Sequence, residues 1–211
     1  IAMKSAFISI IGRPSAGKST LLNKICGEKV SIVSPVPQTT RNKIRGIITR
    51  DEGQLIFIDT PGYHNSDKKF NIYLKDIAGS SLEEADIVLY MIDTTRPPGT
   101  EEAEIIKLLE PVYSKTLVLM NKTDLPDSKP DISAEFIREN ASQLLDSGAV
   151  FPVSAATGKG LKDVIKRLFE IAPEGEPMYP EDYYTDQQPE FRVMEIIREK
   201  AINLSRQELP H

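Results

Sequence analysis

Gly12-Arg13-Pro14-Ser15-Ala16-Gly17-Lys18-Ser19 has the spacing G-x-x-x-x-G-K-[ST]. It lies between a short apolar run and an amphipathic stretch, the strand-to-helix context in which that spacing carries chemistry. The glycines let backbone N–H groups wrap a row of phosphates, and the amino terminus of the next helix favours negative charge at the same place. Lys18 would reach the β- and γ-phosphates, the Ser19 hydroxyl would ligate Mg²⁺, and Thr20 joins them among the nucleotide-binding residues.

Three later clusters fit the same chemistry. Asp59-Thr60-Pro61-Gly62 stands where a strand ends, so Asp59 suits a contact to Mg²⁺ or its water shell and the Gly62 N–H can approach a γ-phosphate. A turn after a strand often has this composition, so the tetrapeptide gains its meaning from the phosphate loop before it. In Asn121-Lys122-Thr123-Asp124, a carboxylate can accept from the guanine N1–H and exocyclic amine together, a fork that adenine does not present. Asn121 can tie the base to the phosphate loop, and the Lys122 stem can cover the base face. In Val153-Ser154-Ala155 an Ala155 N–H could meet guanine O6, although the tripeptide says little alone.

The elements that must position these residues alternate along the chain. Strand candidates are Ala6–Ile11, Ile44–Thr49, Gln54–Asp59, Asp86–Asp93, Thr116–Asn121 and Val150–Ser154; helix candidates are Lys18–Cys26, Phe70–Leu82, Glu101–Tyr113, Ser133–Leu145 and Leu161–Glu170. Four of the strands are nearly continuous apolar runs, as in a sheet covered on both faces. The pattern predicts an α/β fold of the P-loop NTPase type: a mostly parallel six-stranded sheet, helices on both faces, and one antiparallel edge strand made by the hairpin through Arg50-Asp51-Glu52-Gly53.

Residues 1–172 form this expected nucleotide-binding domain. Residues 173–189 are acidic and rich in proline, which suits a linker or a strap. From Glu190 the spacing is helical again, with Phe191, Met194, Ile197, Ala201 and Leu204 on one stripe. Residues 190–211 are therefore expected to begin a second domain, with docking back onto the first as the other possibility. The opening Ile1-Ala2 before Met3 looks like an addition to a natural start.

The 211 residues are 40% hydrophobic and 27% charged, an ordinary composition for a globular protein without a disulfide framework, since Cys26 is the only cysteine. Cys26, at the end of a helix, reads as a small buried hydrophobe. The apolar runs are too short to cross a bilayer, which favours a cytoplasmic protein. Residues 172–211 carry nine acids against four bases, which is the whole net charge of −5. With no basic excess, this chain should bind RNA only weakly by itself.

Taken in order, the four clusters resemble the translation-factor-related GTPases, and within them the Era-type group. The resemblance covers essentially the whole chain. It rests on the Gly-Arg-Pro start of the phosphate loop, Pro37-Gln-Thr-Thr-Arg41, Asp59-Thr-Pro-Gly-Tyr-His64, Met178-Tyr-Pro-Glu-Asp-Tyr183 and the ending Glu195-Ile-Ile-Arg-Glu-Lys200 with Glu208-Leu-Pro. It implies a monomeric GTP/GDP switch followed by a KH domain, acting on the small ribosomal subunit at the 3′ end of 16S rRNA. It also leaves room for peripheral association with the inner membrane. Within that resemblance Thr40, with Thr39 as second choice, gives the switch hydroxyl to Mg²⁺, and Lys18, Thr40 and Gly62 carry the hydrolytic step.

Two departures stand out. Tyr63 occupies the position where Ras-like GTPases orient water with glutamine, and His64 beside it is a weak candidate base. Ser15 replaces the asparagine that helps many relatives bind K⁺, which argues against potassium activation here. Slow chemistry follows. Arg41 and Arg45 are candidates for a charge finger, and Tyr179, Tyr183 and Tyr184 either stack on RNA or pin the linker. Coupling to tRNA modification is the alternative within the same class. A small-molecule kinase would need an acceptor pocket and has no use for Asn121 and Asp124.

Overall fold

The computed structural model describes residues 2–33, 44–59, 82, 84–146 and 150–208. The expectations for Thr39, Thr40, Arg41, Thr60, Pro61, Gly62, Tyr63, His64 and the helix starting at Phe70 fall outside those residues. β1 (Lys4–Ile11), β2 (Ile44–Arg50), β3 (Gly53–Asp59), β4 (Ile87–Asp93), β5 (Thr116–Asn121) and β6 (Val150–Pro152) make one sheet in the order β2-β3-β1-β4-β5-β6. All neighbours run parallel except β2, which pairs antiparallel with β3 at the edge through the turn at Asp51-Glu52.

The helices are α1 (Lys18–Cys26), α2 (Thr100–Leu109), α3 (Pro130–Ala141), α4 (Gln143–Asp146), α5 (Leu161–Ile171) and α6 (Pro189–Glu208). Strand periodicity divides the core between two faces. In β4, Ile87, Leu89 and Met91 pack on the side of α1 and α5, whereas Val88, Tyr90 and Ile92 pack on the side of α2 and α3. Each central strand is buried on both faces, which explains its unbroken apolar sequence. Among the described residues no helix is long and apolar enough to cross a membrane.

Prolines account for most of the elements that differ from expectation. The helix expected over Glu101–Tyr113 is α-helical only to Leu109 and tightens into a 3₁₀ turn over Glu110–Lys115, because Pro111 brings no N–H to the ladder. The helix expected from Ser133 begins instead at Pro130, whose fixed φ suits a first turn, and it is interrupted at Ser142. β6 stops at Pro152, although the Val153 N–H still donates to Met120 O at 2.9 Å.

The acidic segment is a strap laid over the first domain. The Ser5 N–H donates to Pro173 O at 3.1 Å and the Gly175 N–H to Met3 O at 3.0 Å. Gln54, fully buried, accepts from the Met178 and Tyr179 amides and donates to Tyr179 O at 2.9 Å. Further along, the strap runs beside the exposed edge of β2. There the Ile47 N–H donates to Tyr184 O, Thr185 Oγ1 donates to Arg45 O, and Arg45 pairs with Asp186 at 2.7 Å. Arg45 is thus occupied by the strap, not poised as a charge finger.

α6 docks through its polar face. Glu199 is buried, pairs with Lys29, and accepts from the Val33 N–H at 2.9 Å. Arg192 donates to Tyr184 Oη, and its guanidinium lies 4.9 Å from the centre of that ring. Burial works against the Glu199 carboxylate, but the Lys29 and Val33 donors outweigh it and hold its pKa below the usual value. Phe191 packs against the core at one end, while Met194, Ile197 and Leu204 are 52%, 62% and 56% exposed. The helix therefore docks back onto the preceding domain, as one of the two expectations had it, and still presents most of its apolar stripe outward.

Candidate functional site

β1 lies between β3 and β4, so chain connections leave it in opposite directions across the sheet. Ligands bind at such a switch point, beyond the carboxyl ends of the strands. The sequence clusters collect there: the phosphate loop after β1, Asp59 closing β3, Asp93 closing β4, Asn121 closing β5, and Ser154-Ala155 after β6.

The phosphate loop is shaped by what surrounds it. Gly17 sits at φ +103°, and a Cβ there would lie 2.4 Å from Asn121 Nδ2. At Gly12 a Cβ would lie 2.4 Å from Met91 O, so the loop presses against the end of β4. Ser15 takes φ +62°, a left-handed conformation that asparagine adopts more readily than most residues. That is one physical reason for the asparagine expected in relatives. Ala16 is fully buried.

Lys18 is buried and donates to Gly12 O at 2.9 Å and Arg13 O at 2.8 Å. Burial lowers its pKa to about 8, with Asp59 and Glu102 pulling it back upward. Ser19 Oγ donates to Asp59 Oδ2 at 2.7 Å, and Ser31 Oγ donates to the same atom at 3.0 Å. A hydroxyl and a buried carboxylate side by side are hard oxygen donors that fit Mg²⁺, which takes few protein ligands and completes its shell with phosphate and water. The residues present suit that ion. Thr20, next on α1, lines a cleft with Lys29, Val33, Ala155, Ala156 and Glu199.

Asn121 joins two loops. Its Nδ2 donates to Ala16 O at 2.7 Å, and its Oδ1 accepts from the Ala155 N–H at 2.9 Å. The Ala155 amide assigned to guanine O6 is thus engaged by Asn121 in this structure, and meeting the base would require it to be shared or exchanged. Ser154 is fully buried and its Oγ accepts from the Thr157 N–H. Lys122 has φ +68° and its Nζ pairs with Asp93 Oδ2 at 2.6 Å. Burial raises the Asp93 carboxyl, but donors from Lys122 and Thr95 prevail and keep its pKa low. Asp124 is exposed on the same loop, two residues beyond the lysine.

Sequence reasoning did not find the anchor of Arg13. Its side chain runs to α2 and contacts Glu102 at 2.8 Å, with Glu101 at 3.7 Å. Tyr90 Oη donates to the other Glu102 oxygen. All three side chains are buried. Burial raises the Glu102 pKa against the pull of Tyr90 and Arg13. Only Arg13 carries a local signal, its place inside the phosphate loop; nothing in a helical Glu102 reveals a partner 89 residues away.

Residues 7–122 match the family of 50S ribosome-binding GTPases. The GTPase Era of Treponema denticola is 53% identical over 211 residues, covering 99% of this chain and 71% of that protein. The chain belongs to the Era family of GTPases. The Era of Borrelia garinii subsp. bavariensis is 48% identical over 209 residues, again across 99% of the chain and 71% of the relative. Aquifex aeolicus Era bound to GDP·AlF4⁻ superposes with a TM-score of 0.83 at 36% identity, over 96% of this chain and 68% of that one. An Era complex with MgGDPNP and nucleotides 1506–1542 of 16S ribosomal RNA gives 0.84 at 37% identity, over 94% and 67%. Era proteins are GTPases, and this chain is one: it turns GTP and water into GDP and phosphate.

Proposed function

We propose that this Era-family chain is the nucleotide-operated part of a factor for small-ribosomal-subunit assembly. It binds guanine nucleotide with Mg²⁺ and hydrolyses GTP slowly. The observation that carries the nucleotide reading is the meeting of Lys18, the Ser19–Asp59 pair and the Asn121–Asp124 loop at one switch point. Gly12 to Thr20 hold the phosphates, with Lys18 exchanging loop carbonyls for phosphate oxygens. Ser19, Asp59 and the switch hydroxyl of Thr40 would hold Mg²⁺, which would supply positive charge beside the phosphates. Lys18 and the Gly62 amide stabilise charge on the transferred group, and Asp59 fixes the Ser19 hydroxyl. Asn121, Lys122, Asp124, Ser154 and Ala155 read the base. K⁺ has no assigned role because Ser15 stands at the relevant position.

The ribosomal reading is supported by the relative that holds nucleotides of 16S rRNA and by the outward apolar stripe of α6. We assign residues 1–172 to the GTP-binding domain, 173–189 to the strap, and 190–211 to the first helix of a KH-type domain whose remaining elements would cover Met194, Ile197 and Leu204. The protein acts in the cytoplasm as a monomer, with peripheral contact to the inner membrane a secondary expectation. The test is sedimentation of the product of the complete reading frame with small ribosomal subunits. It should co-sediment more with GDPNP than with GDP. Equal or absent co-sedimentation in both states would remove the ribosomal assignment and leave the GTPase.

A further inference from the structure

The geometry points to Glu102 as a positioning residue of the nucleotide site: held by Tyr90, it pins the Arg13 side chain to α2 and so fixes the first half of the phosphate loop. The inference rests on the nucleotide reading above and concerns how the loop is kept in shape.

The phosphate loop is moored at both ends. Its second half is held by Asn121, which accepts the task from outside the loop by donating to Ala16 O at 2.7 Å. Among the described residues the first half has no such backbone mooring to another element, apart from the tight approach of Gly12 to Met91 and a weak 3.4 Å bond from Arg96 to Pro14 O. What holds it is the Arg13 side chain. Arg13 Nε lies 2.8 Å from Glu102 Oε1, and Arg13 Nη1 lies 3.5 Å from Pro97 O. The carbonyls of Gly12 and Arg13 in turn accept from Lys18 Nζ, so a change in the orientation of Arg13 moves the lysine that must meet phosphate.

Stability alone does not account for this cluster. The Arg13–Glu102 contact is close but poorly aligned as a hydrogen bond, and Arg13 Nη2 is buried without a hydrogen-bond partner among the described residues. A buried ion pair with unfilled donors contributes little net stability compared with apolar residues of similar size. Its geometric consequence is specific: it links the loop to β4 through Tyr90 and to α2 through Glu102. Both partners lie outside the recognised motifs.

The test uses mant-GDP fluorescence and thermal unfolding with and without saturating GDP. The proteins are wild type, Glu102→Gln, and the double variant Arg13→Met with Glu102→Gln. The double variant removes both charges and keeps the interior neutral, so it decides the matter if the single variant unfolds. Mant-GDP should bind about tenfold more weakly to each folded variant. The rise in Tm produced by GDP should shrink in the double variant, while its Tm without nucleotide stays near wild type. Unchanged mant-GDP affinity in the folded double variant would overturn the inference. So would a fall in Tm of equal size with and without GDP, which is what a purely structural pair would give. Failure of the wild type to bind mant-GDP would instead overturn the nucleotide reading itself.

Discussion

Lys18 shows how function can set a residue against stability. Its ammonium is buried and its pKa is lowered to about 8, so folding works against the charge that the proposed phosphate contact needs. The sign follows directly. Unfolded lysine keeps its proton to about pH 10.4, so between pH 8 and that value the unfolded state binds more protons and stability rises with pH. Replacing Lys18 with Met should stabilise nucleotide-free protein at pH 7 by on the order of 2 kcal/mol and abolish GDP binding. The wild-type-minus-variant difference, measured by urea unfolding, should close as pH rises from 8 towards 10.5. A variant less stable than wild type across that range would contradict this account. The phosphate-loop residues were legible because their chemistry is local and contiguous. The Glu102 partner of Arg13 was not, because its side chain reaches the loop only through the fold.

At the scale of elements, the strap depends on one buried amide. Gln54 satisfies the Met178 and Tyr179 amides and the Tyr179 carbonyl from inside the sheet. Gln54→Leu would leave those groups without partners and should lower stability by about 2 kcal/mol in urea unfolding, with faster proteolysis near Tyr179. Stability within 0.5 kcal/mol of wild type would show that water replaces the amide fully. The docking of α6 is similarly concentrated in Glu199. Because its pKa is held down, its contribution is present above the unfolded value near 4.5 and is lost as pH falls below it. Glu199→Gln should loosen α6 at pH 7, seen as faster amide exchange through the helix, and that difference from wild type should narrow in acid. Equal exchange at pH 7 would count against this contact. Periodicity revealed the apolar stripe of α6 but not which face meets the domain, since hydropathy alone cannot indicate that a buried glutamate has a lysine and a backbone amide waiting. Proline positions could have corrected the ends of α2 and α3, where apolar spacing ran past Pro111 and began after Pro130.

Across the whole molecule, the sheet order makes the nucleotide reading coherent. Reversal of the connections at β1 brings together clusters separated by more than a hundred residues in sequence, with Asn121 bonded to both Ala16 and Ala155. The strap and α6 hold this domain on both sides of residues 34–43: α6 binds Lys29 and Val33, and the strap binds Arg45 and Ile47. That arrangement was legible as α/β alternation, while the strap's course along β2 followed from side-chain contacts that spacing does not encode. The central claim is that the site reads guanine. The most direct measurement is binding of GDP, XDP and ADP to wild type and to Asp124→Asn. The account predicts that wild type prefers GDP over ADP, and that the variant loses about 10- to 100-fold in GDP affinity and turns towards XDP, as expected for loss of a charge-assisted fork. ADP binding as tight as GDP binding, or a variant indistinguishable from wild type, would contradict it.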